Sequence, residues 1–193
     1  AYIKKEQYKQ EKFAIELFPE KGFLNVTKNE LIAYSGNTGG SGGPHLHYEI
    51  RDSSQHPMNP MLFGYKIKDS SKPIIRSVYA YSLNDTSQVN NHNEKIKLKI
   101  YKTKDGNYLA ETIYASGIIG IGLNCYDKQD LAQNKNGVFN IKTFLNGSIN
   151  YELDFKKFSF KESRHLNQLI DYSHYKKTKN RIQKLFKNES NPL

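Results

Sequence analysis

Apolar and polar positions alternate through several short stretches of this chain, and the alternation predicts strands. Ile96, Leu98 and Ile100 point one way and Lys95, Lys97 and Lys99 the other, so residues 95–102 read as an amphipathic strand with its isoleucines and leucine inward. Asp105–Gly106 then turns the chain into 108–114. Asn146–Gly147 joins 138–145 to 148–155. Asp-Gly and Asn-Gly between alternating runs favour tight hairpin turns in which both central residues take positive φ. Residues 118–126 read as a more buried strand. Several short strands with regular turns suggest a β-sandwich of about 90 residues.

Upstream the pattern is shorter in range. Residues 1–12 are charged with no apolar stripe, which fits a helical or irregular surface segment. Phe13, Ile15 and Leu17 predict a short strand, 19–22 a turn, and 24–34 a strand, turn and strand, with Asn29 a residue that tolerates the left-handed conformation better than most. From His45 the alternation resumes. His45, His47, Glu49 and Arg51 fall on one strand face, and Leu46, Tyr48 and Ile50 on the other. Downstream, 69–73 is polar and turn-rich, placing a domain boundary there. In the tail, Ile182, Leu185 and Phe186 have helical spacing within a basic run, 175–187. That run reads as a solvated terminal segment or one cut from its own domain, with a membrane-surface or nucleic-acid helix the alternative.

Composition narrows the classes. In 193 residues, apolar content is 37%, aromatic content 12% and the net charge +10. The length allows one or two small domains. No apolar run approaches the roughly 20 residues that cross a membrane, and no signal peptide is visible. Cys125 is the only cysteine, which excludes an internal disulfide and a cysteine zinc cluster. Positive charge attracts anionic partners, but the basic residues are spread out and no nucleic-acid motif is present, so no nucleic-acid partner is expected.

The chemistry concentrates between Ser35 and Asp52, SGNTGGSGGPHLHYEIRD. The glycines permit close backbone approach and positive φ, and Pro44 fixes φ before the strand. His45 and His47, two apart, read either as solvated or hydrogen-bonded rings or as a metal or catalytic pair. The glycines could form a plain surface loop. A phosphate loop would need a Lys after them, and none follows. His56 beside Pro57 fits an exposed turn better than a further metal ligand. His92, His165 and His174 show no metal spacing.

Together, Ser35-Gly36-Asn37-Thr38-Gly39, Ser41, Gly43-Pro44-His45-Leu46-His47-Tyr48-Glu49-Ile50-Arg51 and Asn59-Pro60 resemble the signature of lysostaphin/LytM-type zinc metallopeptidases, over about residues 24–64. The resemblance implies a zinc endopeptidase acting on peptidoglycan cross-links in the cell envelope, periplasmic or extracellular. It implies His47 as a zinc ligand and His45 as a catalytic residue facing the scissile carbonyl. Tyr48 stands where Phe is commoner. No histidine precedes His45, whereas the family takes two zinc ligands and a catalytic His from upstream. A catalytic zinc site has three protein ligands and an open position. The resemblance therefore implies a chain that begins partway through a peptidase domain, inactive alone, or else a LytM-like regulator of cell-wall hydrolases that cuts nothing itself. The expected fold is mainly β: a truncated LytM-type β-rich peptidase part over 1–66, an immunoglobulin-like β-sandwich over 73–157, and a basic tail or start of a further segment over 158–193.

Overall fold

The computed structural model describes residues 2–37 and 40–193. Thr38 and Gly39, part of the glycine stretch singled out above, lie outside the described residues. The chain falls into two compact units, Ala1–Tyr48 and Glu49–Leu193, and strands outweigh helices. The boundary expected at 69–73 lies within the second unit, where 65–73 take no regular structure.

The first unit opens with helix α1, Tyr2–Gln10. It buries no residue, as its lack of an apolar stripe predicts. Tyr2 packs against Phe23 at 5.4 Å between ring centres. The turn near Gly22 forms, with Gly22 at φ 88° and the Phe23 N–H donating to the Glu20 carbonyl at 3.0 Å. Asn29 is left-handed at φ 68°. Its turn is fastened by the Glu30 carboxylate, which accepts from the Thr27 N–H at 2.9 Å and from the Thr27 hydroxyl at 3.1 Å.

The strands expected at 13–17 and 24–34 do not form. Among the described residues no strand precedes Ile50, and Phe13, Phe18, Val26, Leu31 and Ile32 stay exposed. Alternation marks a face, but a strand exists only where another strand satisfies its N–H and C=O groups. No described segment pairs with 13–34.

The second unit starts with a small antiparallel ladder, β1 (Ile50–Arg51) on β2 (Pro57–Met58). A 3-10 turn, Pro60–Phe63, follows, capped by Asn59, whose side chain accepts from the Met61 N–H at 3.0 Å. The Asn59 N–H donates to the Lys156 carbonyl at 2.8 Å, and Met58 bridges Lys157.

The remaining strands run in order: β3 (Ile74–Ser82), β4 (Gln88–Val89), β5 (Ile96–Leu98), β6 (Ile100–Lys102), β7 (Tyr108–Ala110), β8 (Ala115–Ser116), β9 (Ile119–Tyr126), β10 (Asn140–Leu145), β11 (Ser148–Asp154) and, after helix α2 (Tyr172–Thr178), β12 (Gln183–Lys184). The main sheet has the order β12-β9-β3-β5, with every pairing antiparallel. β3 is central: Val78 pairs with Leu98 on one side and Leu123 on the other. Val78, Ala80, Val89 and Leu98 form the core cluster, with Ile96, Ile100, Ile121 and Leu123 packed around it. Leu98 is buried while Lys97 and Lys99 are exposed, which is the face predicted from alternation.

Three details depart from the sequence reading. The single strand expected over 95–102 changes partner at Lys99: β5 pairs with β3, and β6 with β7. Lys99 breaks the run by exchanging bonds with Glu111, its N–H donating to the carboxylate at 2.7 Å. Asp105–Gly106 sits in a wider loop, 103–107, where only Gly106 is left-handed, at φ 82°. Asn146 and Gly147, by contrast, both take positive φ, 50° and 85°, as a two-residue hairpin turn requires.

The third departure is the tail, which is neither a solvated segment nor one helix over 175–187. A 3-10 segment covers Phe160–Leu169, and α2 ends at Lys179, left-handed at φ 61°. Beyond that cap the chain extends and adds β12 to the main sheet. Ile182 is fully buried and Leu185 nearly so. Two glycines of β9 make room: a Cβ on Gly122 would meet Ile182 at 2.8 Å and Tyr81 at 2.9 Å, and one on Gly120 would strike the Phe186 ring. The spacing of Ile182 and Leu185 looked helical, but the burial comes from opposing β9.

Candidate functional site

The residues around the histidine pair form a short local network without regular structure. The Ser41 hydroxyl donates to the Gly43 carbonyl at 2.7 Å and accepts from the Gly43 N–H at 3.2 Å. His45 Nδ1 lies 2.9 Å from the Gly43 carbonyl and 3.0 Å from Ser41 Oγ. A carbonyl can only accept, so a bond between these two atoms puts the proton on Nδ1. Nε2 of the neutral ring then carries the lone pair.

His45 and His47 are both exposed. The expected strand over 45–51 is assigned only at Ile50–Arg51, where β2 supplies a partner. His56 belongs to the second unit and is part of another network. Its ring Nδ1 lies 3.2 Å from the Asp52 carboxylate, which also accepts from the backbone N–H groups of Ser54 and His56 at 2.9 and 3.0 Å, and from Lys157 at 3.1 Å. The His56 N–H contributes most to holding the Asp52 carboxyl well below its ordinary value. Lys157, Ser54 and the His56 ring add to this against an opposing effect of burial. The network closes the β1–β2 turn and ties it to residue 157.

Catalytic zinc requires three protein ligands. Among the described residues, no group of three or more His, Cys, Asp or Glu side chains comes together to hold a metal. The donors this chain assembles therefore do not fit a complete catalytic zinc centre.

One titratable cluster escaped the sequence reading. Asp171 caps α2 by accepting from the His174 N–H at 3.0 Å, and it also accepts from Lys95 at 2.6 Å and from the Tyr81 hydroxyl at 3.0 Å. His174 Nδ1 lies 3.4 Å from the Lys95 ammonium. Burial pushes the Asp171 carboxyl up, but Lys95, the His174 N–H and Tyr81 together hold it below its ordinary value. Burial, with Asp171 behind it, pushes the Tyr81 phenol up. The sequence reading did not single out Asp171, and its partner Lys95, 76 residues away, had been read as an outward lysine.

Residues 22–60 match the model of Peptidase family M23. The matched segment takes in the glycine stretch, His45, His47 and the β1–β2 hairpin, and it supports a peptidase of the LytM type. Residues beyond 60 lie outside the match. No curated protein matches the chain, and no solved structure does. Among the described residues no helix is long and apolar enough to cross a membrane.

Proposed function

We propose that the M23-matched segment belongs to a zinc metalloendopeptidase of the cell envelope that cuts peptidoglycan cross-links. The observation that carries this is the match over 22–60, a span that includes both histidines. His47 is the zinc ligand of this reading. His45 faces the scissile carbonyl, where Nε2 can take up or return a proton while Gly43 fixes the other ring nitrogen. A zinc centre needs more ligands than His47, so its other donors would come from outside the groups this chain assembles, and the chain alone defines no step at the metal. On this reading, residues 1–66 are peptidase and 73–157 an immunoglobulin-like sandwich, to which the tail contributes β12.

The test is zinc content and peptidoglycan cleavage of the protein expressed from its gene, with single substitutions. His47→Ala is expected to lose zinc and turnover together. His45→Ala is expected to retain zinc and lose about 10²- to 10⁴-fold in turnover, the range for general acid–base and oxyanion groups. Equal zinc loss in both would make His45 a ligand. Full cleavage by either variant would overturn the reading.

A second reading, a LytM-like regulator of other cell-wall hydrolases, is favoured by the lack of a three-ligand group among the described residues. It predicts a wild-type protein that carries no zinc, cleaves nothing alone and stimulates a separate hydrolase.

A further inference from the structure

The second unit contains a cavity of about 440 Å³ between the C-terminal half of β9, the 135–138 loop and the turn after α2. That volume is in the range of small-molecule sites, about 300–1,000 Å³. Leu123, Val138, Ile141 and Phe155 provide an apolar wall. Four cations are also among the cavity's lining residues: Arg76, Lys135, Lys179 and Arg181. No Asp or Glu lines it, and among the described residues none of the four cations makes an ion pair.

The cations instead share two tyrosine rings. Arg76 and Lys135 lie 5.5 and 5.3 Å from the centre of Tyr126, and Lys179 and Arg181 lie 5.8 and 5.3 Å from that of Tyr175. Ring faces do not neutralise the positive charge of this lining. An anion would do so, through charge-assisted hydrogen bonds from guanidinium and ammonium groups. Four positive charges match a dianionic phosphate better than a single carboxylate. The apolar wall needs a tail to cover it.

We propose that this cavity binds an amphiphile with a phosphate head, the head among Arg76, Lys135, Lys179 and Arg181 and the apolar tail against Leu123, Val138, Ile141 and Phe155. Cys125, the only cysteine, also lines the cavity and reports on its occupancy.

Calorimetric titration of the 193-residue chain with decyl phosphate below its micelle concentration tests this, alongside inorganic phosphate and decyltrimethylammonium. Decyl phosphate is expected to bind at least tenfold more tightly than either control and to slow alkylation of Cys125 at least tenfold at saturation. The Lys135→Gln/Arg181→Gln variant, checked for its fold by circular dichroism, is expected to bind it at least tenfold more weakly. Equal binding of the cationic amphiphile would overturn the role of the cations, and equal binding of inorganic phosphate would overturn the role of the apolar wall. Unchanged Cys125 alkylation would place binding elsewhere and overturn the site. The ligand comparison on the wild-type chain stands even if the variant fails to fold.

Discussion

Residues 13–48 and the β12-β9-β3-β5 sheet divide the properties of this molecule between them. The first stretch carries most of the M23 match and both histidines, yet it forms no strand among its described residues and leaves Phe13, Phe18, Leu31 and Tyr34 exposed. The sheet lies outside the match, yet it supplies Val78, Ala80 and Leu98 of the core, with Val89 of β4 packed against them. A family signature is a property of side-chain order, whereas stability is a property of burial. Here the two sit in different parts of the chain.

The sharpest test of that contrast is a matched pair of substitutions. Ile182→Asp places a carboxylate at a fully buried position under β9 and is expected to cost about 4 kcal/mol or more. Leu31→Asp, at a residue 68% exposed, is expected to stay within about 0.5 kcal/mol. Urea unfolding followed by circular dichroism measures both. A comparable loss from Leu31→Asp would show that the first stretch has a core of its own and would break the comparison.

A smaller effect tests how the tail docks. Gly122→Val puts methyl groups where Ile182 already lies 2.8 Å from an added Cβ, and overpacking of this kind costs about 1–3 kcal/mol. Hydrogen exchange should show faster exchange at the Leu185 N–H, which donates to the Ile121 carbonyl. An unchanged rate would mean that β12 does not depend on the bare face of Gly122.

The smallest effect is electrostatic. Asp171→Asn removes a charge bonded to Lys95 at 2.6 Å and is expected to cost about 1–2 kcal/mol at neutral pH. Because the Asp171 carboxyl is held below its ordinary value, its contribution is complete above the unfolded carboxylate value of about 3.9. It is lost as pH falls through the lower folded value. The difference in stability between wild type and variant should therefore shrink in acid, and a difference that persisted at low pH would remove the ion pair as its cause.

Legibility followed the range of the interaction. The left-handed Asn29, the Asn146–Gly147 turn and the Lys97/Leu98/Lys99 alternation were all readable because each depends on a few neighbouring residues. The combined pattern over 35–51 with Asn59-Pro60 was enough to raise the resemblance to the peptidase family, since it concerns which side chains follow one another. Lys95 was misread because its partner, Asp171, lies 76 residues away.

The sequence by itself determined the turns at Gly22, Asn29 and Asn146–Gly147, the Lys97/Leu98/Lys99 face and the histidine motif. Only the tertiary structure decided which alternating stretches became strands, because each strand needs the backbone of another to satisfy its own hydrogen bonds. It also decided the fate of the tail. Helical spacing at Ile182 and Leu185 gave way once Lys179 turned left-handed and β9 offered an open edge with two glycines for the tail to fill.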